Sequence, residues 1–270
     1  MRLFISLFLL CFFQTLFSQT KVKIYQEQTD KGLRIIADNN EYCPVSVELD
    51  LSLKNMVSSQ GNQFTVVLPP QSKQLEISTI SVQDASLSSK FSLKTSYNFG
   101  DYTISGYDTN YAYNLPYGKG LSVIIGQGYN GKRTHRNENA LDFDMDEGTE
   151  IYAIRDGVVI RVIENNSRHC PEKDCMAYNN ILTIYHPDGT FADYVHIKKN
   201  GIIVQEGDSI KQGQLIAYSG NTGWSSGPHL HLVVYLQKIV DRITLSTYFK
   251  TGDGRQTEIL TEKKEYKRNY

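Results

Sequence analysis

The sequence lacks a net charge that could attract a broad, oppositely charged partner. Its 270 residues contain 28 lysines and arginines against 29 aspartates and glutamates, a formal net charge of -1. This balance argues against a basic surface for nucleic acid or lipid headgroups. Beyond the N-terminal segment the chain also lacks an apolar run near the ~20 residues that a membrane-spanning helix needs. We therefore predict no nucleic-acid partner and, once a leader is removed, no membrane span; the oligomeric state stays open.

Long apolar character is confined to the N-terminus. Arg2 precedes an apolar run that starts at Leu3, and the small residue Ser18 stands at a plausible cleavage point. This pattern is typical of a signal peptide, and the run is too short for a spanning helix. We predict a signal peptide over residues 1–19 and export to the periplasm or the extracellular space, with an uncleaved anchor as the alternative.

Cysteine is scarce, with four residues in the chain, one of them in the leader. Cys170 and Cys175 enclose a turn-like segment, and disulfides persist in exported proteins, so the spacing favours a small loop-closing disulfide. A metal site that includes the adjacent His169 is the alternative, although a structural zinc site usually has four ligands. Cys43 is predicted to be a lone buried thiol.

Helical periodicity is missing from the first part of the chain. Apolar residues alternate with polar ones from Val45 to Lys54, and residues 91–99 repeat the pattern. Short strands separated by turn signals predict a small β-sandwich over residues 20–101. This region contains no histidine. We interpret it as an accessory domain without catalytic residues.

Aliphatic residues are few in residues 102–120, which are rich in Tyr, Asn, Gly and Asp and are predicted to form a linker. Beyond it the pattern is again β, which predicts a second domain over residues 121–250. Residues 251–270 are predicted to be a C-terminal tail with a charged, frayed end. All six histidines follow the linker: His135, His169, His186, His196, His229 and His231.

Two of these histidines occupy one short strand. A loop rich in Gly, Ser and Asn leads to His229, and residues 230–235 are apolar and largely aliphatic or β-branched. Side chains alternate along a strand, so His229 and His231 share one face while Leu230 and Leu232 take the other. Spacing alone makes both histidines candidate metal ligands or bases. A pair of half-buried histidines bonded to their neighbours is the alternative.

The remaining histidines are spread over strands and loops. His196 follows Tyr194 by two residues on a predicted strand, so alternation predicts that both lie on one face. His186 precedes a turn and is predicted to be exposed, and His135 lies in a polar loop.

Three alternating aspartates, Asp142, Asp144 and Asp146, would share one face of a strand. An EF-hand loop needs glycine at its sixth position and glutamate at its twelfth, and these places hold Glu147 and Ala153. We therefore exclude calcium. The aspartates form either a solvated face or the source of one carboxylate for the histidines.

Imidazole and carboxylate ligands suit zinc, and three protein ligands with one open position form the catalytic arrangement. Zinc in such a site provides a nucleophile near neutral pH and polarises a carbonyl. The spacing of these residues leaves open which of them converge.

Several ordered blocks point to one family. They are His135 with residues 140–143, residues 148–153, residues 156–159, residues 194–197, and residues 219–223 leading into His229-Leu230-His231. In these blocks residues 129–235 resemble the lysostaphin-type (LytM-like) zinc metallopeptidases. The resemblance implies an all-β, duplicated-hybrid-motif peptidase domain after the small N-terminal β-sandwich.

The resemblance also implies a role for each of these residues. It makes His135, Asp142 and His231 the ligands of a zinc ion (Zn2+). His196 and His229 then become non-ligand catalytic residues that handle the proton and steady the tetrahedral intermediate. This implication differs from the spacing argument, which makes His229 a ligand.

A further implied contact is that of Tyr129 with the developing oxyanion. The sequence departs from the family pattern at Asp144 and Asp146, where small or apolar residues are common, and in the insertion that carries Cys170 and Cys175. Both departures concern substrate preference rather than the metal.

We therefore expect an exported zinc metalloendopeptidase that hydrolyses peptide bonds in peptidoglycan stem peptides or cross-bridges. A non-catalytic wall-binding regulator of other hydrolases and a protease of Gly-rich proteins are the alternatives. Whether the accessory domain or the linker plugs the groove is left open.

Overall fold

The computed structural model describes residues 21–270, so the predicted signal peptide lies outside the described residues. The described chain is built from strands and one short 3-10 helix, Lys173–Tyr178. This confirms the all-β prediction. Within residues 21–270, no helix has the length and apolar character needed to cross a membrane.

Seven strands form the N-terminal part. They are β1 (Val22–Thr29), β2 (Gly32–Asn39), β3 (Val45–Lys54), β4 (Met56–Ser58), β5 (Gln63–Leu68), β6 (Ser72–Val82) and β7 (Lys90–Phe99). One sheet has the order β1-β2-β6-β4 and the other β5-β3-β7. Alternate residues of β3, from Val45 to Leu51, are buried in a core that both sheets share. The predicted β-sandwich is thereby confirmed.

Seventeen strands make up the rest of the chain. They are β8 (Ala112–Tyr113), β9 (Ser122–Gln127), β10 (Ala140–Asp144), β11 (Glu150–Tyr152), β12 (Gly157–Ile163), β13 (His169–Cys170), β14 (Ile181–Tyr185), β15 (Phe191–Val195), β16 (Ile197–Ile202), β17 (Ser209–Ile210), β18 (Leu215–Ser219), β19 (Gly223–Trp224), β20 (His229–Gln237), β21 (Arg242–Thr244), β22 (Tyr248–Thr251), β23 (Gln256–Ile259) and β24 (Glu265–Lys267).

The largest sheet has nine strands in the order β17-β12-β14-β15-β20-β10-β9-β24, with β21 also paired to β20. One of its faces packs against the three-stranded sheet β11-β18-β16 around a large apolar core. Leu141, Leu230 and Leu232 point into that core. Because side chains alternate along strands, the residues between them face the other way, into a groove.

The segment predicted to be a linker is packed rather than free. Tyr113, Leu115 and Tyr117 are buried in the core of the second part, and β8 pairs with β22. The buried Tyr117 hydroxyl donates to the carbonyl of Tyr266 at 2.7 Å. A tyrosine can bury its large apolar ring when its hydroxyl has a hydrogen-bond partner. The low aliphatic content of residues 102–120 therefore did not mean that this segment is exposed.

The end of the chain is also ordered, and the prediction of a frayed tail is wrong. Strand β24 pairs with β9, and Tyr266 is buried in the main core. The buried Arg268 guanidinium donates to the carbonyls of Tyr117 and Leu115. Tyr266 is a single apolar residue within a run of charged residues, so the sequence did not indicate a strand with one buried position.

The two parts of the chain meet over a small apolar cluster. It contains the buried Cys43 and, from the largest sheet, Phe191, Val233 and Tyr235, with Phe99 packed beside them. Cys43 is free and buried, as predicted. Burial raises the pKa of its thiol to about 12.

Candidate metal centre and active-site groove

Two candidate ligands come from adjacent strands of the largest sheet. Asp142 on β10 and His231 on β20 are direct cross-strand partners. Their side chains share the groove face, and Asp142 Oδ1 lies 3.0 Å from His231 Nδ1. The register of one strand pair therefore creates two thirds of the centre.

The third candidate, His135, arrives from the loop between β9 and β10. Its Nδ1 lies 3.1 Å from the carbonyl oxygen of Gly128, to which it can donate. Its Nε2 then faces Asp142 Oδ1 at 3.1 Å and His231 Nδ1 at 3.2 Å. The loop turns at Asn137, whose φ of 59° lies in the left-handed region that asparagine tolerates.

These three atoms form a triangle that suits a metal ion. Tetrahedral zinc with bonds of about 2.0–2.1 Å places its ligand atoms about 3.3 Å apart, close to the 3.0, 3.1 and 3.2 Å sides seen here. With its Nδ1 donating to Gly128, neutral His135 directs a lone pair at the Asp142 carboxylate. A cation at the middle of the triangle satisfies all three atoms at once.

Charge on these groups is strongly coupled. Burial alone would raise the pKa of the Asp142 carboxyl, but the hydrogen bonds that His135 and His231 donate when they are protonated outweigh it and hold that pKa far below its usual range. Burial lowers the pKa of His135, but the Asp142 carboxylate outweighs burial and the net shift is upward. The carboxylate is therefore kept ionised, as a metal ligand must be.

Strand alternation does not explain why His196 lies beside this triangle. Tyr194 points into the core, where its hydroxyl accepts a hydrogen bond from the backbone of Ile154, so the prediction that His196 shares its face is wrong. His196 instead has a φ of 64° between β15 and β16, which turns its ring towards the groove. Its Nδ1 lies 2.7 Å from the carbonyl oxygen of Thr222. Burial, together with the neighbouring His229 and His231, lowers the pKa of His196 to about 3.

His229 is the second histidine outside the triangle. Its Nδ1 lies 2.8 Å from the carbonyl oxygen of Gly227, and its Nε2 lies 3.7 Å from Asp142 Oδ1. The rings of His196 and His229 are 4.6 Å apart between centroids. When each Nδ1 donates to its carbonyl, each Nε2 is left as an acceptor for a proton.

The five residues open into a groove of about 580 Å³. Its walls come from residues between Arg133 and Arg242, and within the described chain neither the sandwich nor residues 102–120 contribute to them. The N-terminal sandwich, as the structure describes it, therefore leaves this groove unplugged.

One wall is the loop closed by a disulfide between Cys170 and Cys175, which confirms the predicted pair. The two sulfurs are bonded to each other, so the alternative metal site with His169 does not form. The loop is tied to the chain before His229. Trp224 Nε1 donates to the carbonyl of Pro171 at 2.9 Å, and Ser225 N donates to that of Cys170 at 3.1 Å.

Some predicted residues lie elsewhere. The Tyr129 hydroxyl is bonded to Thr247 at 2.9 Å, and Tyr129 does not line the groove in the described structure, so the geometry gives no support to its predicted oxyanion contact. Asp144 lines the groove opposite His229, whereas Asp146 is exposed outside it. The prediction that His186 is exposed is wrong, because its ring is fully buried.

Sequence reasoning missed the groups that orient the two outer histidines. Both acceptors are main-chain carbonyls, those of Thr222 and Gly227. A carbonyl is present at every residue and leaves no signature in a sequence. The glycine-rich loop before β20 is the one signal that marks this region, because it permits the close turns.

Comparison with known proteins relates the sequence around this site to one family. Residues 136–241 match the sequence model described as Peptidase family M23. The peptidoglycan DD-endopeptidase ShyA of Vibrio cholerae serotype O1 is 38% identical over 93 residues, which is 34% of this chain and 19% of that protein. Lysostaphin of Staphylococcus staphylolyticus is 30% identical over 145 residues, 53% of this chain and 24% of that protein.

The matched region thus spans less than a quarter of the length of either relative. Among solved structures, the antimicrobial peptidase lysostaphin from Staphylococcus simulans is 30% identical, covers 42% of each chain and has a TM-score of 0.34. The chain carries a domain of peptidase family M23.

Proposed function

We propose that this protein is an exported zinc metalloendopeptidase that hydrolyses peptide bonds in peptidoglycan stem peptides or cross-bridges. The observation that carries the proposal is the triangle of His135, Asp142 and His231 at the floor of an open groove. Two further histidines stand beside it, in position to move protons. The family match and the peptidoglycan-cleaving relatives support the same reaction class.

His135 through Nε2, Asp142 through Oδ1 and His231 through Nδ1 would hold the zinc. When bound, zinc would act as a Lewis acid and provide a nucleophile at neutral pH. Three protein ligands leave room for such chemistry, whereas a structural site uses four. The neutral imidazoles and the ionised carboxylate are the ligand forms that zinc binding requires.

His196 and His229 would then act on the substrate. Each is held through Nδ1 by a main-chain carbonyl, which fixes its ring and leaves Nε2 directed to the groove. One Nε2 can take a proton as the nucleophile forms, and the other, once protonated, can donate to the developing oxyanion or to the leaving amine.

Export is supported by the sequence of residues 1–19 and by the disulfide between Cys170 and Cys175, since such bonds persist in oxidising compartments.

We further propose that residues 20–101 form an accessory domain and that residues 121–250 form the body of the peptidase domain. The separate apolar cores support this division. The burial of Tyr113 and Tyr266 supports adding the segments on both sides of residues 121–250 to the peptidase domain.

Purified zinc-loaded protein should release peptides from isolated sacculi, with amine groups appearing as bonds break. His229→Ala should abolish release while the protein still binds zinc and stays folded. Undiminished release by His229→Ala would contradict the proposed chemistry, and release only from glycine-rich proteins would redirect the substrate assignment.

A further inference from the structure

A β-bulge in β12 places an arginine on the floor of the groove. Val159 is paired with Ile184, but the next pair is Arg161 with Thr183, so Ile160 is an extra residue. Without it, alternation would turn Arg161 towards the apolar core together with Val159. With it, Arg161 shares the face of Thr183 and lines the groove. Bulges of this kind often redirect a side chain near an active site.

The other cations of the groove are already engaged. Arg242 is paired with Asp193 at 3.2 Å and with Glu138 at 2.5 Å. Arg133 donates to the carbonyl of Gly126 at 3.0 Å and faces Asp144. Arg161, by contrast, is exposed and forms no ion pair or side-chain hydrogen bond with residues 21–270.

The Asp193 carboxylate, which could have neutralised Arg161, is occupied by other groups. Its Oδ1 accepts from the Thr183 hydroxyl at 2.7 Å and from the Tyr235 hydroxyl at 3.2 Å, and its Oδ2 accepts from Arg242. The guanidinium of Arg161 therefore keeps its donors for a group that enters the groove.

Its distance from the metal triangle suits a substrate contact away from the reacting bond. β12 is three strands from β20, about 14 Å at a spacing of about 4.8 Å, and Arg161 aligns with Val233, two residues after His231. An extended peptide rises about 3.3 Å per residue. Arg161 would thus meet a group about three to five residues from the bond that is cut.

We propose that Arg161 forms a subsite for a carboxylate of the peptide substrate, and so makes peptides with a free carboxylate the preferred substrates. A guanidinium binds a carboxylate through two parallel hydrogen bonds, which gives direction as well as charge. The inference rests on the proposed peptidase function, and it deepens that function by naming a feature of the substrate.

The test uses soluble peptides released from one preparation of sacculi, half of them with their carboxylates converted to amides. For the zinc-loaded protein we expect kcat/KM to be about fivefold higher for the free carboxylates, as for a well-placed but solvent-exposed ion pair. Arg161→Gln should remove this preference by lowering activity on the free form alone. Arg161→Glu should reverse the preference, and Arg161→Lys should restore part of it.

Arg255→Gln is the matched control, because Arg255 is an exposed arginine that does not line the groove. It should keep the wild-type ratio. An unchanged ratio in folded Arg161→Gln would overturn the inference, as would the same loss in Arg255→Gln.

Equilibrium binding of the same two peptide pools to His196→Ala and to His196→Ala/Arg161→Gln separates this inference from the proposed function. Carboxylate-dependent binding that needs Arg161, without turnover by the wild-type protein, would refute the peptidase and retain the subsite. Turnover or binding that does not distinguish the free from the amidated peptides would refute the subsite. If the protein neither binds nor cleaves either pool, both the subsite and the peptidase function are refuted.

Discussion

Asp142 and His231 are direct partners on adjacent antiparallel strands, with Asp142 Oδ1 3.0 Å from His231 Nδ1. Leu141 and Leu232, which are partners in the next pair, point into the core on the opposite face. A slip of one residue would bury the site residues and expose the leucines, so the apolar core holds this register. The packing of the sheet therefore fixes the positions of Asp142 and His231 in the metal triangle.

Asp142→Asn should weaken zinc binding by more than the 10–100-fold that is typical of changes outside the ligand shell. The substitution keeps the shape of the side chain but removes the charge that faces both histidines. Competition with a chromophoric chelator measures the affinity. Asp144→Asn is the matched control on the same strand and face, and it should keep its zinc; equal losses in the two variants would contradict the assignment of Asp142.

Reduction of the Cys170–Cys175 disulfide should lower kcat several-fold while zinc stays bound. The loop that it closes holds Trp224 and Ser225 through hydrogen bonds, and these residues precede His229. Without the disulfide the loop would be more mobile, so it would hold the His229 ring less firmly in its catalytic position. Small displacements of catalytic groups lower the reaction rate strongly. Initial rates with and without reductant measure the effect.

A Cys170→Ser/Cys175→Ser double variant serves as the control for that experiment. It should match the reduced protein and should no longer respond to reductant. Full activity in this variant would show that the disulfide does not position the site.

Tyr266→Ala should lower the free energy of unfolding by about 3 kcal/mol, in the range of large aromatic truncations in a core. Tyr266 is 3% exposed on β24, although it lies only four residues from the end of the chain. Urea unfolding measures the change. Lys267→Ala, at the exposed neighbouring position, should be nearly neutral, and a neutral Tyr266→Ala would mean that the end of the chain is frayed after all.

His186 should make the protein less stable in mild acid. Burial lowers the pKa of this histidine to about 4 from its ordinary 6.5; its bond to the Asp156 carbonyl opposes the shift and Arg155 adds to it. Asp188 and Tyr113 also lie near the ring. The folded protein holds the ring neutral, whereas the unfolded chain takes up a proton below pH ~6.5.

The buried neutral His186 thus contributes its full share to the free energy of unfolding above pH ~6.5. This contribution, about 3 kcal/mol in total, is lost as the pH falls to about 4. Urea unfolding at several pH values should show a shallower acid loss in His186→Asn than in the wild type. Identical slopes would contradict this account.

Alternation and spacing predicted the strands and the shared face of His229 and His231 because a period of two is set by the backbone itself. They failed where the backbone departs from regular geometry. His196 reaches the groove through a φ of 64°, and Arg161 through the extra residue at Ile160, and neither departure is visible as a pattern of polar and apolar residues.

Long-range packing accounts for the other differences. His186 is buried because the chain around Tyr113 folds over it, and Tyr266 is buried because β24 finds an edge of the largest sheet. Each depends on contacts between residues far apart in sequence. A local window shows only that one apolar residue lies among polar ones.

Zinc content of two alanine variants on one strand tests the central claim most directly. His231→Ala and His229→Ala alter neighbouring positions on the same face of β20, so their effects on folding should be alike. Metal analysis after dialysis should find one zinc per chain in His229→Ala, as in the wild type, and almost none in His231→Ala. Zinc retained by His231→Ala, or lost from His229→Ala, would contradict the metal centre described here.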